Sequence, residues 1–220
     1  MQHHIVEGKA KFHGFGRAVE NAGVAVPTFF GVGYLGNLSF FMFKYVSDVS
    51  ILSHNIIKEY IPEKDVAIDA TLGNGYDCDF LSENFKKVYA FEIQKDACDK
   101  YIDKNNNVIV INESHDKLSY FVKEPVNCVC YNLGYLPGGD KNITTLAESS
   151  LSSIKQSLEL ITKKGIVSIA IYRGHNEGKE EENCIINFAK TLPKNKYGVM
   201  LHECINRSIT SPLLMIIEKK

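Results

Sequence analysis

The chain has 220 residues, of which 45% are hydrophobic and 23% are charged, and its formal net charge is −1. This length suffices for one sizeable α/β domain with its own core. The balanced charge argues against a protein that coats nucleic acid, so any RNA contact must come from a local patch. No apolar stretch reaches the roughly 20 residues that span a bilayer, and the N-terminus lacks the features of a signal peptide. We expect a cytoplasmic protein with no membrane partner.

The first 36 residues differ from the rest of the chain. They contain seven of the 16 glycines and show no clear period of 2 or 3.6. We interpret residues 1–40 as an N-terminal extension, either a leader or a loosely ordered segment, with a cap over the active site as the alternative. Residues 41–220 would then form the catalytic domain.

Strand and helix patterns alternate in the remainder of the chain. Apolar residues between Phe43 and Ile57 predict one or two helical turns before Pro62. Strands are predicted at residues 66–70, 87–93, 108–112, 126–132, 166–172, 197–205 and 212–218. Helices are predicted at residues 77–85, 96–104, 144–163 and 180–192, with Gly165 closing the long one as a left-handed cap.

Five strand–helix repeats followed by two strands predict a doubly wound, mostly parallel sheet. Only residues 206–211 separate the last two strands, which is too short for a parallel crossover, so they must form an antiparallel hairpin. This arrangement is typical of α/β, Rossmann-like class I methyltransferases with seven strands. It is not expected of nicotinamide dehydrogenases.

The six cysteines indicate reduced, mostly buried thiols rather than disulfides. None forms a CxxC pair, and only Cys128 and Cys130 lie close together, two residues apart in an apolar run. In a strand both would lie on one face. No second pair has the spacing of metal ligands, so we expect no metal site.

A tight glycine turn follows the first strand and predicts a pocket for an adenosine-containing cofactor. The turn contains Gly73 and Gly75 but no third glycine, so the dinucleotide fingerprint is incomplete, and no phosphate-loop lysine follows. Asp69 ends the strand and would repel a pyrophosphate. It would suit the positively charged methionine moiety of S-adenosylmethionine (SAM), directly or through water. A plain strand–helix turn is the alternative.

Further cofactor contacts are expected after the second and third strands. Glu92 ends the second strand, 23 residues after Asp69, and its carboxylate can accept both ribose hydroxyls. Ile93 would flank the adenine. Ser114 and His115 follow the third strand, where contacts to the adenine edge usually arise, although a lone histidine often only caps or packs a loop.

The fourth strand leads into a loop that indicates an amine acceptor. Methyltransferases that act on amines carry an Asn/Asp-Pro-Pro-Tyr/Phe loop here, whose amide and backbone carbonyl hold the target nitrogen. Asn132 and Tyr135 match its first and fourth positions, whereas Leu133 and Gly134 replace the two prolines. A glycine-rich connector is the alternative.

A primary amine must lose a proton before it attacks the methyl group. Water, Asp140 or His175 would accept that proton. His175 follows the fifth strand directly and therefore belongs to the same edge of the sheet. Helix capping or loop packing is the alternative role for this histidine.

Together these segments resemble the MnmM (YtqB-like) family of bacterial SAM-dependent tRNA wobble-uridine methyltransferases, also labelled rRNA methylases. The resemblance covers roughly residues 50–220. The motifs that carry it are Asp69-Ala70-Thr71, Gly73-Asn74-Gly75 with Asp77, Phe91 with Ile93-Gln94, Ser114-His115, residues 132–141, Tyr172 with Gly174-His175, and residues 178–181. The Asn-Leu-Gly-Tyr-Leu-Pro-Gly-Gly-Asp run is specific, whereas the glycine turn alone is not.

The resemblance implies methylation of the amine of 5-aminomethyl-(2-thio)uridine at the tRNA wobble position, with SAM as cofactor and the anticodon region of tRNA as partner. It implies catalytic roles for Asn132, Tyr135, Asp140 and His175. The implied cofactor-binding residues are Asp69, Thr71, Gly73, Asn74, Gly75, Asp77, Glu92, Ile93, Gln94, Ser114, His115, Asn132 and Gly134.

Some positions depart from the family pattern. Leu72 and Cys78 replace alanine and threonine, Glu92 replaces aspartate, and Arg173 stands where histidine is common. Phosphate contacts or plain surface charges are expected at Lys141, Arg173, Lys179 and Arg207. A methyltransferase of another RNA or of a small molecule is the alternative function, and a non-catalytic cofactor-binding domain is a third. A homodimeric state is left open.

Overall fold

A seven-stranded sheet forms the centre of the protein in a computed structural model, which describes residues 43, 45–134, 144–174 and 176–220. The strands run in the order β3-β2-β1-β4-β5-β7-β6. They are β1 (Val66–Asp69), β2 (Lys87–Phe91), β3 (Val108–Ile111), β4 (Val126–Leu133), β5 (Ile161–Ile171), β6 (Tyr197–His202) and β7 (Leu213–Lys219). Only β7 is antiparallel to its neighbours, β5 and β6. The predicted mostly parallel sheet with a closing antiparallel hairpin is therefore confirmed.

Helices cover both faces of the sheet. They are α1 (Val49–Tyr60), α2 (Tyr76–Asn84), α3 (Lys95–Tyr101), α4 (Leu118–Phe121), α5 (Ala147–Leu160) and α6 (Asn176–Thr191), with a short 3₁₀ helix at His115–Lys117. Within the described ranges, no helix is long and apolar enough to cross a membrane. The predicted extension at residues 1–40 lies outside the described residues.

The central strands alternate between two apolar clusters, one on each face of the sheet. Ile68 and Val129 belong to the cluster packed with α5 and α6, whereas Ala67 and Cys128 belong to the cluster packed with α1 and α2. Both faces are covered, which is why these parallel strands are almost continuously apolar. The Cys128 and Cys130 thiols lie 3.8 Å apart on one face, as predicted.

The predicted helical span 144–163 is too long, and the predicted role of Gly165 as its cap is wrong. Helix α5 ends at Leu160, and Ile161 already pairs with Val126 in the sheet. The register then shifts, and Lys164 adopts a positive φ of 60°. Gly165 lies in this irregular segment, where a Cβ atom would approach the Asn127 carbonyl oxygen to 2.9 Å. Its missing side chain therefore serves strand packing.

Helix α1 is longer than the predicted one or two turns. Its 12 residues begin after Asp48, whose side chain accepts a hydrogen bond from the Ser50 amide (2.8 Å). Ser53 and Ile57 are buried, and the Ser53 hydroxyl lies 2.6 Å from that of Ser168 in β5. The helix is thus fixed against the sheet, beside the carboxyl ends of β4 and β5.

Candidate active site

The candidate site lies at the carboxyl edge of the sheet, where parallel α/β proteins usually bind ligands. Strands β1, β2, β4 and β5 run parallel, so the residues at their ends share this edge. Asp69 and Glu92 stand at the ends of β1 and β2. Asn132 and Tyr172 stand at the ends of β4 and β5.

The glycine turn between β1 and α2 requires its glycines. Gly73 and Gly75 have positive φ angles of 49° and 84°, and the Gly75 amide donates to the Leu72 carbonyl (2.7 Å). A Cβ on Gly75 would lie 2.3 Å from the Tyr101 ring. That ring is fixed by a hydrogen bond from its hydroxyl to Asp79 (2.7 Å). The turn therefore tolerates no side chain at Gly75.

We expect Gly75→Ala to lower the free energy of unfolding by about 2 kcal/mol, because alanine is strained at positive φ and collides with Tyr101. Cofactor affinity should fall as well, since the turn moves. Gly198→Ala is the matched control, because a Cβ there meets nothing within 4 Å. Urea unfolding and calorimetric titration with SAM measure both effects. Equal behaviour of the two variants would contradict this account of the turn.

Glu92 is tied to the glycine turn before any ligand binds. Its Oε2 accepts from the Gly73 amide (3.0 Å), and its Oε1 accepts from the Gln94 amide (2.8 Å). Each carboxylate oxygen retains a second lone pair, so both can still accept a hydroxyl hydrogen. Neighbouring Ile93 exposes 52% of its surface. A carboxylate and an exposed apolar side chain fit a ribose and the face of an adenine.

Asp69 is fully buried beneath the turn. Its Oδ1 accepts from the Thr71 amide (3.0 Å), whereas its Oδ2 has no hydrogen-bond partner within the described part of the chain. Burial, together with nearby Asp77 and Glu92, raises the pKa of Asp69 well above its usual value. Three carboxyl groups are thus crowded at this edge, and a cationic ligand would relieve their repulsion whereas a pyrophosphate would add to it.

Ser114 and His115 occupy different environments. The Ser114 side chain caps the 3₁₀ helix by accepting from the Asp116 amide. The His115 ring is 8% exposed and meets the Tyr131 ring edge-to-face. Burial lowers the pKa of His115 to about 4, so the ring is neutral at pH 7. His115 therefore lies in the interior below the site edge.

Asn132 is the centre of a polar network. Its Nδ2 donates to Asp77 Oδ2 (2.7 Å) and to the Ser50 hydroxyl (3.3 Å). Its backbone amide donates to the Thr71 hydroxyl (2.7 Å). The other oxygen of Asp77 lies 2.6 Å from His54 Nε2. The buried Oδ1 of Asn132 has no partner among the described residues, so it is an acceptor without a donor.

The start of the predicted acceptor loop packs against Tyr172. Gly134 has a φ of 153°, and a Cβ there would lie 3.5 Å from Tyr172 Cβ. Desolvation of its hydroxyl, with Asp48 and Asp77 nearby, raises the pKa of Tyr172 to about 12, although the residue as a whole exposes 38% of its surface. The Gly134 carbonyl accepts from the Thr145 amide (3.2 Å), which joins the two ends of the loop. Tyr135, Asp140 and His175 lie outside the described residues.

Arg173 does not provide the predicted phosphate contact. Its side chain is buried, and its guanidinium bridges Glu182 (3.1 Å) and Glu203 (2.7 Å) while donating to the Ser211 carbonyl (2.8 Å). Through these contacts the guanidinium of Arg173 joins α6 to the connection between β6 and β7. Lys179 and Arg207 are exposed, and Lys141 lies outside the described residues.

The sequence patterns did not identify Ser50, His54 or Tyr172 as site residues. Ser50 and His54 lie four residues apart, so they face the same way on α1. That spacing was a usable signal, but nothing local indicated that α1 lies beside β4.

Comparison with known proteins agrees with this geometry. The profile of the family described as "Putative rRNA methylase" matches residues 88–218. The chain is 31% identical, over 188 aligned residues, to the chloroplastic tRNA (mnm(5)s(2)U34)-methyltransferase of Arabidopsis thaliana, covering 77% of this chain and 68% of that protein.

Two solved structures share both fold and sequence with the chain. A Clostridium thermocellum protein described as a "putative rRNA-methylase" is 33% identical, with a TM-score of 0.75, over 80% of this chain and 99% of that one. A Streptococcus mutans protein described as a "putative methyltransferase", in complex with S-adenosylhomocysteine (SAH), is 36% identical, with a TM-score of 0.73, over the same shares of the two chains. The chain therefore belongs to this rRNA methylase family and is a SAM-dependent methyltransferase.

Proposed function

We propose that the enzyme methylates the primary amine of 5-aminomethyl-(2-thio)uridine at the wobble position of tRNA, giving the 5-methylaminomethyl form. The observation that carries the proposal is the unpartnered Oδ1 of Asn132. An oxygen acceptor at the carboxyl end of β4 suits an N–H donor. The name of the Arabidopsis relative, a tRNA mnm⁵s²U34 methyltransferase, supports the same acceptor.

The residues at the carboxyl edge fit SAM. Glu92 would hold the ribose, and Ile93 would pack against the adenine. The Gly73–Gly75 turn would let the protein backbone approach the ligand closely. The carboxyl groups of Asp69 and Asp77 favour its positive charges. SAM, when bound, supplies a methyl group activated by its sulfonium. Thr71, Asn74, Gln94, Ser114 and Gly134 remain proposed contacts of the same pocket. His115 is proposed as well, although its ring is buried against Tyr131.

Asn132 would accept a hydrogen bond from the neutral amine. This contact would direct the lone pair of the amine nitrogen toward the methyl group. Catalysis of this kind rests on orientation and on exclusion of water rather than on strong acid–base help. We propose Tyr135 as the aromatic wall for the target base, and water, Asp140 or His175 as the acceptor of the proton that the amine loses before it attacks. The anticodon region of tRNA is the proposed partner and the cytoplasm the proposed location.

Nucleoside mass spectrometry of tRNA from a deletion strain tests the acceptor. We expect the 5-methylaminomethyl nucleoside to disappear and its amine precursor to accumulate, with reversal by the wild-type gene but not by an Asn132→Ala copy. Unchanged nucleosides, in a strain with no second such enzyme, would overturn the proposal.

Purified protein distinguishes the RNA classes. With radiolabelled SAM, we expect methyl transfer to tRNA from the deletion strain and to its anticodon stem-loop, and none to free nucleoside. Ribosomal RNA is assayed in parallel, because the family is described as "Putative rRNA methylase". Transfer to rRNA alone would replace the proposed acceptor by the alternative one.

A further inference from the structure

We propose that His54 is a positioning residue for methyl transfer, which acts by fixing Asp77 and, through Asp77, the amide of Asn132. The inference deepens the proposed function and rests on it for the identity of the acceptor amine. It concerns α1, which lies before the nucleotide-binding segments of the chain.

His54 is itself held in one orientation. Its ring stacks on Phe80 with centroids 3.9 Å apart and planes 5° from parallel. Its Nε2 lies 2.6 Å from Asp77 Oδ1, and the side chains of the pair are 21% and 12% exposed. An ionised carboxylate only accepts hydrogen bonds, so Nε2 carries the hydrogen and donates it. The stacking and the hydrogen bond leave the ring little freedom.

Asp77 links the fixed ring of His54 to the side chain of Asn132. One carboxylate oxygen is occupied by His54, and the other accepts from Asn132 Nδ2 at 2.7 Å. Ser50 accepts from the same Nδ2 at 3.3 Å. Because both groups accept, the NH₂ group of the amide must face them. Oδ1 is thereby turned away from Asp77 and remains the acceptor to which the proposed amine would donate.

Loss of His54 would free one of the two fixed oxygens of Asp77. The carboxylate could then rotate, and the Asn132 amide would follow it. A misplacement of about 1 Å in a positioning group can cost roughly 100-fold in rate. Because neither His54 nor the Asp77 oxygen it holds contacts Glu92, the adenosine side of the pocket should be affected less than the transfer step.

The test compares His54→Phe, which keeps the stacking on Phe80, with His54→Gln, which restores an N–H donor. We expect His54→Phe to lower kcat by roughly 10- to 100-fold, with KM for SAM changed by less than about threefold. His54→Gln should recover most of the loss. His202→Phe, on the distant strand β6, is the matched control. Failure of glutamine to recover kcat would overturn the proposal.

A double-variant cycle shows whether His54 acts through Asn132. The kcat of His54→Phe/Asn132→Ala should equal that of Asn132→Ala within about threefold, since residues acting as one unit are not additive. If the kcat loss of the double variant equals the product of the two single losses, His54 does not act through Asn132.

A measurement without acceptor separates this inference from the proposed function. The side-chain NH₂ signals of Asn132, identified by their loss in Asn132→Ala, should shift in His54→Phe and stay in place in His54→Gln. If wild-type enzyme transfers no methyl group to aminomethyluridine tRNA, the proposed acceptor fails while these signals still test His54. Signals that are identical in all three proteins would overturn the positioning role.

Discussion

Replacing Asn132 by alanine should lower kcat/KM for the RNA acceptor by about 100- to 1000-fold, the usual effect of removing one preorganised polar contact to the reacting group. The reason is that Asn132 Oδ1 is, within the described residues, the unpartnered acceptor at the end of β4, while Nδ2 of the same side chain already donates to Asp77. Radiolabel transfer under single-turnover conditions measures the effect. Exposed Asn195→Ala is the control, and a loss below about threefold in Asn132→Ala would contradict the assigned role.

A swap of the two side chains tests the geometry more directly. Asn132→Asp keeps an oxygen for the amine but places a second carboxylate 2.7 Å from Asp77 Oδ2, so we expect a similar loss. Adding Asp77→Asn restores one donor and one acceptor across that contact, and activity should partly return. Absence of any recovery would mean that Asp77 has a separate role that asparagine cannot fill.

The parts of the site that follow from short stretches of sequence were predictable. Asp69 and Glu92 each end an apolar run, and such runs become neighbouring parallel strands whose ends meet at one edge. Gly73 and Gly75 precede a helix directly, so their turn is a local property of the chain. Asn132 follows from the same logic applied to β4.

The contacts among these parts were not predictable, because they depend on how distant segments pack. Asn132 and Asp77 are 55 residues apart in sequence, and His54 reaches Asp77 from a helix that precedes the sheet. A charge also looks the same in sequence whether or not it is paired, which is why Arg173 suggested a phosphate contact. Its two glutamate partners come from α6 and from the segment after β6.

The C-terminal boundary of α5 could not be predicted for a different reason. The apolar residues Leu158 and Ile161 continue a helical pattern across the junction into β5, where Ile161 is buried by pairing rather than by helix packing. Burial requires an apolar residue in either conformation. Periodicity alone therefore cannot locate the boundary, and the glycine that follows looked like a helix cap.

Asp69→Asn should weaken SAM binding by roughly 10- to 100-fold, because asparagine cannot lose a proton and so cannot supply the negative charge that we propose for Asp69 beside the bound cation. SAH lacks the sulfonium charge, so its affinity should fall less. Calorimetric titration of both ligands measures the difference. Equal losses for SAM and SAH would assign Asp69 to the shape of the turn, through Thr71, and unchanged affinities would contradict any role in binding.

The same substitution should change how stability depends on pH. The pKa of Asp69 is raised in the folded protein above its ordinary value of 3.8, by burial and by Asp77 and Glu92. The folded state therefore holds a proton that the unfolded chain releases, and this contribution to stability is lost as pH rises from about 4 through the raised pKa. Buried His115 has the opposite effect, because its stabilising contribution is lost as pH falls from 6.5 to about 4.

Comparing wild type with Asp69→Asn at each pH cancels the His115 contribution. We expect the melting temperature of the cofactor-free variant, relative to wild type, to rise as the pH increases from 5 toward 8, and to level off once the pH passes the raised pKa of Asp69. Saturating SAM should reduce this difference, because the cation offsets the cost of the buried carboxylate and its binding releases the proton. A constant difference across this range would mean that Asp69 is already ionised in the folded protein, with its charge satisfied by groups of the turn.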